Sequence, residues 1–209
     1  MTKMLELNKI YCGDCLEYMR EMPDKCVDLV LTDPPYGCGK AEWDESFPIS
    51  WYREAQRISK TQAIITGSFG LKDTVPLVGD NFIDCVSLWN KNGMTRSPLG
   101  YGNWLAVVIS GEKPKLGQNH LNFSVGGEMP EHPSPKPIEA MLKLIKRLTD
   151  EGMTILDPFM GSGTTCVACK KLGRNYIGIE KEPAYVEIAL KRLEKVNNHK
   201  ITDFFGVQE

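Results

Sequence analysis

The chain has 209 residues, 42% of them apolar and 25% charged, with a formal net charge of −2. That balance fits one domain with a full core, and excludes a disordered chain or one that attracts nucleic acid by overall charge. No apolar run is long enough to cross a bilayer and Met1-Thr2-Lys3-Met4-Leu5-Glu6 has no secretory pattern, so a cytoplasmic protein with no membrane partner is expected.

The spacing predicts a strand over residues 8–12, a helix over 15–21 and a strand over 27–32. Asp33-Pro34-Pro35-Tyr36 follows that strand, and a loop with Trp43 and Asp44 fills 37–47. A helix over 49–59 puts Trp51, Ala55 and Ile58 on one face. Strands are expected at 62–66 and 82–89, with a short helix ending near Gly79 between them. A glycine-rich loop covers 90–103, and 104–110 returns as a strand. With no helical pattern between 82–89 and 104–110, that pair is expected to be antiparallel. Residues 111–135 read as irregular, and Pro137 opens a helix carrying Ile138, Met141, Leu142, Ile145 and Leu148. A strand over 153–156, a helix over 162–172, a strand over 175–179 and a helix over 183–196 complete the chain. Alternating strands and helices imply an α/β fold with a mainly parallel seven-stranded sheet and one antiparallel strand, in a single domain over 1–209.

Seven cysteines include two C-x2-C pairs, Cys12/Cys15 and Cys166/Cys169. The first pair straddles a strand end and the second lies inside a helical pattern. Free buried thiols are therefore expected, with no metal. Lys136, Lys143, Lys146, Arg147, Lys170, Lys171 and Arg174 are candidates for a local basic face, or for ordinary helix-surface charge.

Two stretches carry chemistry. Asp33-Pro34-Pro35-Tyr36 stands at the C-terminal end of a strand, the side where open α/β sheets bind ligands. An exocyclic amino group on a base is a poor nucleophile, because its lone pair is delocalised into the ring. Two acceptors on its N–H bonds, the Asp33 carboxylate and the Pro34 carbonyl, would localise that pair and bear the charge that develops. Tyr36 would stack on the extruded base. These four residues alone serve a plain strand-to-loop turn equally well. The second stretch, Asp157-Pro158-Phe159-Met160-Gly161-Ser162-Gly163-Thr164-Thr165, is a glycine turn into a helix. Glu180 ends the next strand, 23 positions after Asp157, close to the offset at which an acid meets a ribose hydroxyl in nucleotide-binding units.

Taken in this order, the motifs resemble the amino-group DNA methyltransferases that use S-adenosylmethionine, in their circularly permuted β group. Gly13-Asp14, His132-Pro133-Ser134-Pro135-Lys136-Pro137 and Leu172-Gly173-Arg174-Asn175 also fit, so the resemblance spans roughly 8–196. It implies a permuted Rossmann-like sheet in which the strands before Asp33 and Asp157 are neighbours and share one crevice. It implies catalysis by Asp33, Pro34, Pro35 and Tyr36. The cofactor, leaving as S-adenosylhomocysteine, would be bound by Asp14, Asp33, Lys136, Pro137, Asp157, Pro158, Phe159, Gly161, Ser162, Gly163, Thr164, Thr165 and Glu180. For Asp14, a helix cap is the competing role. Asp at the first motif position resembles the adenine-N6 group, with cytosine N4, an RNA adenine or a non-catalytic cofactor-binding subunit as the alternatives. DNA with a flipped adenine is the implied partner, together with a homodimer or specificity partner. Segments 91–103 and 111–131 are short for recognition loops; Lys91, Arg96 and Tyr101 are the candidate nucleic-acid contacts.

Overall fold

The computed structural model describes residues 2–35, 49–67, 70–91, 95–97, 100–102, 104–114, 118–124 and 136–196. In chain order the first elements are β1 (Lys9–Cys12), α1 (Cys15–Glu21), β2 (Val27–Thr32), α2 (Ile49–Ile58), β3 (Ser59–Thr66) and α3 (Leu71–Val78). Next come β4 (Phe82–Asn90), β5 (Thr95–Ser97), β6 (Gly100–Gly102), β7 (Trp104–Gly111) and β8 (His120–Phe123). The last are α4 (Ile138–Leu148), β9 (Thr154–Asp157), α5 (Thr164–Lys171), β10 (Asn175–Glu180) and α6 (Pro183–Glu194).

The main sheet has the order β1-β10-β9-β2-β3-β7-β4-β8. Only β7 runs against its neighbours, pairing antiparallel with β3 and β4. The predicted antiparallel pair is therefore present. The strand count needs correction: the sheet has eight strands, and β5 and β6 form a separate antiparallel hairpin. The eighth strand, β8, pairs parallel with β4 inside a segment read from sequence as a loop. Only Leu121 and Phe123 turn inward there, too short an alternation to stand out.

Burial on both faces explains why the central strands are apolar throughout. Leu29 and Leu31 of β2 join the cluster beneath α4, α5 and α6, which includes Met141, Ile145, Cys166 and Leu193. Val30 points the other way and joins Met19, Trp51, Tyr52 and Ile58 beneath α1 and α2. Each such side chain contributes about 1.5–3 kcal/mol through burial. The helix after Pro137 forms as its spacing predicts, burying Met141, Leu142, Leu144, Ile145 and Leu148. No described helix is long and apolar enough to cross a membrane.

Candidate active site

Strands β2 and β9 are hydrogen-bonded neighbours, with Val30 opposite Leu156, so their C-terminal ends emerge side by side. Asp157, the last residue of β9, is 4% exposed. Its Oδ1 accepts the Thr32 hydroxyl at 2.7 Å and the Phe159 amide at 3.1 Å, and its Oδ2 accepts the Thr165 hydroxyl at 2.6 Å. One carboxylate thereby clasps β2, the glycine turn and the first turn of α5. Burial pushes its pKa up to about 6, against the pull of the Thr165 and Thr32 hydroxyls and the Phe159 amide, and the nearby Asp33 charge adds to the rise.

The turn after Asp157 folds back on β10. Gly161 donates its amide to Glu180 Oε2 at 2.9 Å, and Met160 donates to the Ile179 carbonyl at 3.1 Å. The other Glu180 oxygen accepts the Glu182 amide at 2.9 Å. Burial raises the Glu180 pKa above the usual carboxylate range. Gly163 caps α5 in the left-handed region with φ 75°, and a Cβ there would lie 2.7 Å from the Ala189 Cβ on α6. Arg192 of α6 donates from Nη1 to the Ser162 carbonyl at 2.5 Å, the Ser162 hydroxyl at 3.1 Å and the Thr164 hydroxyl at 3.0 Å. The side chains of Ser162, Thr164 and Thr165 thus turn into the protein and build the turn. Any contact these three residues make with a ligand would come from their backbone.

Asp33 follows β2 and is partly exposed, and Pro34 beside it is buried. Its Oδ2 accepts a charge-assisted hydrogen bond from the Lys136 ammonium, across 103 positions of sequence. Lys136 and Pro137, assigned from sequence to the cofactor, therefore stand at the catalytic motif: Pro137 is the N-cap of α4 and Lys136 reaches Asp33. Phe159 packs edge-on against the buried Trp51 ring, with centroids 5.4 Å apart. Asp14 takes the competing role, its Oδ1 accepting the Leu16 amide at 2.8 Å as the N-cap of α1. Gly13 still joins the crevice wall, donating to the Glu180 carbonyl at 2.9 Å.

Tyr36 lies outside the described residues, as do Trp43 and Asp44. Arg96 and Tyr101 face each other across the β5–β6 hairpin, and Lys91 is exposed just after β4. The segments called loops thus carry a hairpin and a strand. Several basic residues grouped as a candidate face have structural work. Lys170 donates to the Leu193 carbonyl, Lys143 bridges Glu139 and the Asn122 carbonyl, and Arg174 spans Leu172 and Thr149. Sequence reasoning gave no site role to Thr32, Trp51 or Arg192. The signal for Thr32 was available, as the polar end of an otherwise apolar strand; a helical arginine in a charged last turn gives none.

Three carboxylates, Asp33, Asp157 and Glu180, line one sheet edge together with the glycine turn and the start of α5. Two of them are held above their ordinary pKa by burial. Such a crevice suits a ligand with positive charge and hydroxyls, because a cation offsets the cost of ionising buried acids. Among the described residues no group of three or more His, Cys, Asp or Glu could hold a metal ion.

A family model described as DNA methylase (N6_N4_Mtase) matches residues 88–191, a span holding Lys136, the glycine turn and Glu180. The type II methyltransferase M.HinfI of Haemophilus influenzae is 29% identical, over 91% of this chain and 69% of its own length. The putative methylase YubD of Escherichia coli (strain K12) is 28% identical, over 91% of this chain and 92% of its own. The crystal structure of the M1.HpyAVI–SAM complex superposes with a TM-score of 0.67 at 28% identity, covering 88% of this chain and 98% of that one. The cytosine-N4-specific PvuII DNA methyltransferase reaches a TM-score of 0.71 over 93% of this chain and 90% of its own, at 19% identity, a likeness of fold. The strand order, the paired acids and these relatives agree in one likeness, to the N6/N4 amino-group DNA methylases.

Proposed function

We propose that this chain transfers a methyl group from S-adenosylmethionine to the exocyclic N6 amino group of adenine in DNA. The observation that carries this reading is the meeting of two motifs at one sheet edge. Asp33 follows β2, Asp157 ends β9, and the Thr32–Asp157 hydrogen bond of 2.7 Å ties the strands together there. The crevice fits the cofactor in charge. S-adenosylmethionine supplies a methyl on a sulfonium and leaves as a neutral thioether. Glu180, at the end of β10, would take the ribose hydroxyls beside the backbone of residues 158–163.

The protein's own groups then orient and activate the amino nitrogen. The Asp33 carboxylate accepts one N–H and the Pro34 carbonyl the other, which localises the lone pair for in-line attack. The methyl would come from the bound cofactor's sulfonium. The Asp33 carboxylate and Pro34 carbonyl would hold the amino nitrogen as it attacks, and the proton that nitrogen sheds would pass through the Asp33 carboxylate to solvent. Adenine is favoured over cytosine by the aspartate at the first motif position. Tyr36 would stack on the flipped base, and Lys91, Arg96 and Tyr101 would meet the flanking nucleic acid.

Transfer of labelled methyl to unmethylated DNA, followed by nucleoside analysis, tests this. N6-methyladenine is the expected product. Asp33→Ala should lower the rate about a hundredfold or more while cofactor binding survives. N4-methylcytosine would correct the base, and methylation of RNA alone would correct the polymer. Activity that survives Asp33→Ala would remove Asp33 from the chemistry.

A further inference from the structure

The Lys136–Asp33 contact engages the carboxylate that the proposed reaction needs. Asp33 Oδ2 is the acceptor for Lys136, and the side chains are 33% and 20% exposed respectively. An amino group on a base brings two N–H donors and no charge. Where it takes over Oδ2, the lysine ammonium loses its hydrogen-bond acceptor in a half-buried place and needs another.

Among the described residues, the carboxylates of the site and of the first turn of α4 are already engaged. Glu139, in the first turn of α4, is already held by Lys143 at 2.6 Å and by the Ser124 amide at 2.9 Å. Asp157 is filled by Thr32, Thr165 and the Phe159 amide. The start of α4 is itself the positive end of an 11-residue helix and has no side-chain cap. What enters with the base is a phosphate, one for each nucleotide. Lys136 has a four-carbon stem and is anchored beside Pro137 with φ −61°, so its head group can swing while the backbone stays fixed.

We propose that Lys136 is a positioning residue that exchanges partners: it holds Asp33 in the ligand-free protein, releases it to the target amino group and takes a phosphate of the displaced nucleotide. This rests on the methyltransferase reading of the site. The exchange makes occupation of Asp33 and grip on the DNA backbone two halves of one event. A base without an amino group does not displace the lysine, and so does not recruit it to the strand.

The test is the salt dependence of DNA binding by the full chain, on a duplex that the wild-type protein methylates, for wild type, Lys136→Met and Lys136→Arg. A phosphate contact made by Lys136 lowers the slope of log affinity against log salt by about one in Lys136→Met, and Lys136→Arg restores it. DNA binding at low salt weakens several-fold in Lys136→Met. An unchanged slope overturns the exchange. So does tighter DNA binding at unchanged slope, which would make Lys136 a plug and nothing more. A lower melting temperature as the sole effect would reduce it to a fold contact. Lys136→Gln, checked by circular dichroism, guards against misfolding of one variant. Wild-type protein that methylates no DNA would remove the underlying reading and the exchange with it. Methylation with an unchanged Lys136→Met slope would remove the exchange alone.

Discussion

At the scale of single residues, the buried Asp157 carboxylate carries an electrostatic cost. Its folded pKa is about 6, against roughly 3.9 in an unfolded chain. The folded protein therefore binds this proton more tightly, and the group's contribution to stability falls as pH rises from about 4 to about 6. Above that window both states are ionised and the contribution is flat. Denaturant midpoints of the ligand-free protein across this range should decline relative to those of Asp157→Asn. Parallel curves would mean that Asp157 ionises in the folded chain as easily as in water. A cationic ligand reverses the sign locally. Calorimetry of S-adenosylmethionine binding should show proton release below about pH 6 and tighter binding as pH rises through it. Asp157 was legible as a site residue from the strand and glycines around it. Its bond to Thr32 was not, because Thr32 is 125 positions away and no local pattern pairs them.

At the scale of elements, the glycine turn is fixed from both sides, by Arg192 and by the approach of α6. Gly163→Ala should cost about 1–3 kcal/mol in chemical denaturation, since the new methyl meets Ala189 and the backbone stays left-handed. Gly152→Ala is the internal control: φ is 79° there, close to the 75° of Gly163, yet nothing lies within 4 Å of the added carbon. Its cost should be only that of the backbone, about 1–2 kcal/mol. If both variants cost the same, close packing against α6 contributes nothing. Helices were readable from spacing because their buried faces are wide and apolar, as in α4. Strand β3 was read three residues short, since Ser59 and Thr61 are polar yet buried, Lys60 between them is exposed, and the strand continues into the buried Gln62. A network satisfies them: the Ser59 hydroxyl bonds the Ala55 carbonyl, Gln62 bonds Ser59 and Ser110, and Ser110 meets the Tyr52 hydroxyl. Hydrophobic pattern does not register burial of that kind.

At the scale of the whole molecule, the sheet order decides how motifs far apart in sequence share one crevice. Alternation of strands and helices indicated a parallel sheet, but composition does not state which strands touch. The neighbouring of β2 and β9 followed only from the family resemblance, and the pairing of β1 with β10 closes the same permuted order. Amide hydrogen exchange should be slowest in β2, β3 and β9, buried within the sheet, and faster in β1 and β8 at its two edges. Protection of β8 equal to that of β2 would show that the edge is covered.

The β1–β10 register also sets Cys12 directly opposite Glu180. Cys12 is exposed, whereas Cys15, Cys166 and Cys169 are buried, with burial pushing the Cys15 thiol up to about 12. The two C-x2-C pairs, expected to be free buried thiols, thus divide by chemistry: three inert thiols in the core and one, Cys12, open to alkylation at the wall of the crevice. A fluorophore on Cys12 would report the filling and emptying of that crevice while leaving Asp33, Asp157 and Glu180 unmodified.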